Sequence, residues 1–90
     1  TLAPTAPGSK IDFVSYRIPP ATVLGPAAPH GPGTIEHVHV ATGAVRVTVG
    51  EETVDLSAGD GCSCRADAPH GVENPDPDVE ALIYLIVERG

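Results

Sequence analysis

The sequence contains no methionine and no tryptophan, and its aromatic residues are Phe13, Tyr16 and Tyr84 alone. A core in 90 residues must therefore come from Val, Ile, Leu and Ala, and it is modest enough that closure or dimerisation would help it. Basic residues are also few. Five Lys and Arg stand against twelve Asp and Glu, a net charge of −7. A phosphate backbone would be repelled, so no direct nucleic-acid contact is expected. No apolar run reaches the ~20 residues of a membrane helix, and the first residues lack the basic-then-apolar order of a secretory leader. The two cysteines, Cys62 and Cys64, are two apart. On a strand they share a face without the Cβ approach a disulfide needs, so they read as reduced, packed thiols of a cytoplasmic protein. With Thr1 first and no Met anywhere, the chain is expected to be processed or cut from a longer one.

Helical periodicity with caps is missing throughout. There is no glycine-rich phosphate loop ahead of a helix and no nucleophile elbow, so no catalytic residue is assigned.

What the sequence does have is ten glycines and ten prolines, without a fixed period, punctuating short β-branched runs. Residues 1–9, rich in Pro, Ala and Thr, read as a linker or tail, and 10–90 as one domain. Strands are expected over Lys10–Ile18, Ala21–Leu24, Ile35–Ala41, Val45–Val49, Thr53–Leu56, Cys62–Arg65, Gly71–Glu73 and Glu80–Glu88. The three prolines and three glycines of Gly25–Gly33 predict a loop. In Ile35–Ala41, Glu36, Val38 and Val40 share one face, and Ile35, His37 and His39 the other. Gly50-Glu51 suits a two-residue hairpin. The near-continuous apolar run of the last strand predicts burial on both faces. Eight short strands with frequent turns indicate an all-β antiparallel barrel or double-sheet jelly roll.

Two motifs sharpen this. His30, Glu36 and Gly43 fall in the order of the first cupin motif, with Pro32 where that motif has a second His and Gly25 one residue too near. Gly59, His70 and Asn74 fall on the second motif, with Arg65 in place of Pro and Asp67 in place of Gly. The chain resembles the cupin superfamily over roughly Ile11 to Val87. Pro32-Gly33-Thr34-Ile35-Glu36-His37-Val38, Gly59-Asp60 and Asp67-Ala68-Pro69-His70 more narrowly resemble the C-terminal cupin domains of bacterial helix-turn-helix transcriptional regulators.

The resemblance implies a cupin-type antiparallel β-barrel whose interior holds a small-molecule ligand. His30, Glu36 and His70 are the expected pocket residues. Their two imidazoles and one carboxylate match the ligand set of a facial triad for one divalent metal, Fe, Mn, Ni or Zn. The same residues would also serve as hydrogen-bonding groups of a pocket without metal. Arg65 at the mouth and the Tyr84 hydroxyl are further candidate ligand-binding groups. His37 and His39 are assigned to the outer face or a dimer surface, because a ligating pair there would exclude Glu36. The leading expectation is a ligand-sensing domain, homodimeric, separated from the DNA-reading part of a regulator. The alternative is a metal-dependent cupin enzyme of dioxygenase or isomerase type.

Overall fold

The structure is a computed structural model, and it describes residues 10–27, 33–66 and 68–89, Pro26 and Ala27 by their backbone alone. Three residues of the motifs, His30, Pro32 and Asp67, lie outside this set. The described chain forms eight strands: β1 (Ile11–Ile18), β2 (Thr22–Ala27), β3 (Ile35–Thr42), β4 (Ala44–Val49), β5 (Glu52–Ser57), β6 (Gly61–Arg65), β7 (His70–Asn74) and β8 (Ala81–Glu88). They make two four-stranded sheets, ordered β1-β8-β3-β6 and β2-β7-β4-β5. Every pairing is antiparallel. No helix occurs among the described residues, and so none is long and apolar enough to cross a membrane.

The expected strands appear close to their predicted bounds, with one correction. β2 continues through Gly25 and Pro26 to Ala27, where a loop was expected. A proline cannot donate to a ladder, but β2 is the edge of its sheet, and its pairing with β7 shifts register between Leu24 and Ala27. An edge strand at a bulge is where a sheet tolerates proline.

Strand alternation decides the interior. Ile18, Val38, Val40, Val45, Val47, Leu56, Ala81 and Ile83 form the buried core between the sheets. Burying such a branched side chain contributes about 1.5–3 kcal/mol. The core gathers towards one end of the barrel, where Ile18 pairs with Ala81 and Thr22 with Asn74. Asn74 is wholly buried there. Its amide nitrogen donates to the carbonyls of Ile18 at 3.0 Å, Pro19 at 3.2 Å and Val79 at 2.8 Å. Its carbonyl oxygen accepts from the amide of Asp76 at 3.1 Å. The second motif's Asn is thus a structural clamp that joins the ends of β1, β7 and β8.

Gly43, the last residue of the first motif, carries the chain from β3 in one sheet to β4 in the other. Its φ is +80°, and a Cβ there would lie 3.0 Å from both the Ala81 Cα and the Glu80 carbonyl oxygen. Only glycine suits both the left-handed backbone and the space. The hairpin between β4 and β5 is Gly50-Glu51, closed by the Val49–Glu52 pair, with φ of 58° at Gly50.

Candidate functional site

At the open end, alternation places Glu36 of β3 and His70 of β7 inward from opposite sheets. Glu36 follows from the parity of Val38 and Val40, and all three are buried. His70 has the parity of Val72 and Asn74, and pairs with Val49 on β4. The Glu36 Oε2 and His70 Nε2 atoms meet at 2.6 Å, with both side chains under a tenth exposed. His70 Nδ1 lies 2.9 Å from the Ala68 carbonyl oxygen. A carbonyl only accepts, so Nδ1 carries a hydrogen. With Nε2 and Oε2 in contact, imidazole and carboxylate form a buried pair. The contact bridges the two sheets.

Cys64 is the register partner of Glu36 on β6, and Cys62 that of Val38. Both are free and half-buried, as expected of packed thiols. The Cys64 thiol is pushed up to about 11, first by burial, then by the negative charge of Glu36 and then by Cys62. Burial likewise raises Cys62. Neither is a reactive thiolate at neutral pH.

The interior opens at both seams between the sheets. Beside β1 and β2 a cavity of ≈ 450 Å³ is walled by Val14, Leu24, Val72, Leu85 and Val87, with Tyr16 and Glu36 among its polar groups. This is within the size range of small-molecule pockets. At its mouth Arg89 donates to the carboxylate of Asp12. Beside β5 and β6 a larger groove of ≈ 680 Å³ runs past Val47, Val54, Cys62 and Cys64 to Glu51, Glu52 and Arg65.

The five residues expected at the site therefore separate. Glu36 and His70 come together, and His30 lies outside the described residues. Arg65 is exposed on the groove at the opposite seam from the cavity. Tyr84 does not reach the interior. It lies on the opposite face of β8 from Ile83 and Leu85, with its ring centroid 5.9 Å from that of Phe13. Expecting Tyr84 to bind ligand overlooked that parity. The tyrosine that does line the cavity is Tyr16, which shares the inward parity of Val14 and Ile18 on β1. Asp12 and Arg89 were missed as well. Asp12 could have been found from the same alternation, whereas Arg89 lies just past the last strand, where no pattern points.

His37 and His39 take the outer parity, with Glu36 facing in. His37 Nδ1 and Ser63 Oγ share a 2.6 Å hydrogen bond, and His37 Nε2 lies 3.4 Å from Glu88.

A divalent ion bound through Glu36 and His70 would sit about 2.0–2.2 Å from each donor. Two donors around one such ion stand roughly 3 Å apart by that geometry, whereas here they touch at 2.6 Å. Among the described residues no three His, Cys, Asp or Glu side chains are grouped to hold a metal. As placed, the described residues do not fit a metal centre.

Comparison with known proteins agrees with this architecture. The Cupin domain family model matches residues 14–87. No curated protein matches the chain significantly. Among solved structures, the chain is similar to the Cupin_2 domain of an XRE family transcriptional regulator from Enterobacter cloacae. The TM-score is 0.83 and the identity 25%, over 90% of this chain and 83% of that one. An HTH_3 family transcriptional regulator from Vibrio cholerae gives 0.75 at 23% identity, over 99% of this chain and 48% of that one. A protein described as a predicted oxalate decarboxylase from Thermotoga maritima gives 0.75 at 19%, over 87% of this chain and 65% of that one. The last two likenesses show the fold. With the family model spanning most of the chain, and with two antiparallel sheets to match, this protein belongs to the cupin domain family.

Proposed function

We propose that this cupin domain binds a small molecule in the cavity beside β1 and β2 and serves as the sensing part of a helix-turn-helix regulator. The observation that carries the reading is the cavity itself: ≈ 450 Å³ of apolar-walled space reaching a buried carboxylate–imidazole pair. Such a combination of apolar walls and a few polar groups is what small-molecule sites share. The likeness to the regulator domain from Enterobacter cloacae supports the regulatory part.

The geometry also offers a route for the signal. Val14 and Tyr16 line the cavity from β1, the first strand of the domain. A ligand packed against β1 acts on the strand through which a preceding DNA-reading domain would connect. Differential affinity for two arrangements of that strand is all that such coupling requires. The outer side of β1 exposes Ile11 and Phe13 (49% and 57%), an apolar edge that suits a homodimer.

A thermal-shift screen of uncharged and charged metabolite-sized compounds tests the reading. Compounds that raise the melting temperature of the wild type, and not of a Val72→Phe variant with the cavity filled, are the expected result. A screen without such a compound, or a parent reading frame without an upstream helix-turn-helix segment, would overturn the sensing or the regulatory part respectively.

A further inference from the structure

The charges around the cavity are compensated within the protein. Among the described residues its wall carries two carboxylates and one guanidinium, those of Asp12, Glu36 and Arg89. Arg89 pairs with Asp12 across the mouth. Glu36 is paired with His70. The remaining wall is largely aliphatic, with Tyr16 as the neutral hydrogen-bonding group. An ionised ligand entering here gives up its hydration and meets no unmatched opposite charge, which is the costly case. A hydrocarbon body loses water at a gain. The groove at the other seam differs, because Glu51, Glu52 and Arg65 stand along it.

From this we infer that the cavity takes an uncharged, largely hydrocarbon molecule bearing at most a neutral hydrogen-bonding group, and discriminates against phosphates, carboxylates and ammonium compounds. The inference rests on the reading of the cavity as a ligand site, and names the ligand class.

Two fluorescent probes with one skeleton separate charge from shape: neutral N-phenyl-1-naphthylamine and its sulfonate, 8-anilino-1-naphthalenesulfonate. Each is titrated into the whole chain. The neutral probe is expected to saturate at one per chain, and the sulfonate to bind at least tenfold more weakly. Val72→Phe and Leu24→Phe, each checked for folding by circular dichroism, should abolish the neutral signal, whereas Phe13→Ser on the outer face leaves it unchanged. The wild-type ratio needs no variant, so misfolding of a filled cavity would not obscure it. Sulfonate binding as tight as the neutral probe overturns the ligand class and leaves the cavity reading standing. Saturable binding by neither probe overturns both. A neutral signal that survives in folded cavity-filled variants places the dye elsewhere and overturns the inference.

Discussion

Glu36 on β3 and His70 on β7 meet at 2.6 Å, each from a different sheet, so one buried carboxylate–imidazole contact ties the two halves of the barrel at its open end. Removing one partner strands the other in a buried position. Glu36→Ala or His70→Ala is expected to lower stability in urea by about 3–5 kcal/mol, whereas the double replacement with Leu at both positions costs far less. A double-mutant cycle reads the coupling. Single variants no less stable than the wild type would show that the bridge contributes nothing.

Asn74 should be the most sensitive polar position at the closed end. Asn74→Ala leaves the buried carbonyl of Ile18 and the part-buried carbonyl of Val79 without their donor, and an unsatisfied buried group costs about 1–3 kcal/mol. Asn74→Asp, which turns a donor into an acceptor facing those carbonyls, is expected to be worse than Ala. Chemical denaturation gives the order, and Asp at least as stable as Ala would contradict the clamp.

Two glycines with left-handed backbones should differ because of their surroundings. Gly43→Ala meets both the strain and the 3.0 Å contacts to Ala81 and Glu80, whereas Gly50→Ala meets open space. The cost at Gly50 is about 1 kcal/mol, and that at Gly43 exceeds it. Equal melting temperatures for the two variants would refute the close-approach account.

Cys64 should alkylate slowly. Its thiol stands near 11 against an ordinary value of 9.0, so the folded state holds its proton where the unfolded chain has begun to lose it. Stability contributed by this group is present below about pH 9 and declines as pH rises towards 11. Glu36→Gln removes the second cause of the shift. It should speed iodoacetamide labelling of Cys64 at pH 8.5, read by mass spectrometry, relative to the wild type. Unchanged labelling would mean that the charge of Glu36 does not reach the thiol.

Metal content separates the sensor from the enzyme alternative. After incubation with Fe, Mn, Ni and Zn and removal of excess, less than one equivalent is expected to remain, because Glu36 and His70 are bonded to each other. One equivalent that is lost in both His30→Ala and His70→Ala would establish a metal centre and reopen the enzyme reading.

The strands were legible because the chain alternates cleanly. Val45, Val47 and Val49, or Glu36, Val38 and Val40, declare an inner face without reference to any neighbour. Half of the site was legible by the same rule, since Glu36 and His70 have inward parity. Three features were not. Pro26 reads as a strand breaker unless the strand is known to be an edge, and edge position is a property of the sheet. Tyr84 was assigned by its hydroxyl when its parity set it outside. Arg89 enters the cavity mouth only because Asp12 lies beside it in space, 77 positions away along the chain.

The Asn74 clamp and the unpaired seams together make the barrel a clamshell. Its hinge pin is one amide at the narrow end, and among the described residues no ladder of hydrogen bonds crosses the lips. Widening the interior parts the Glu36–His70 contact and costs packing but breaks no strand pairing. Such a scaffold can exchange one guest for another through substitutions at Val14, Leu24 or Val72 alone, so that the choice of guest evolves independently of the fold.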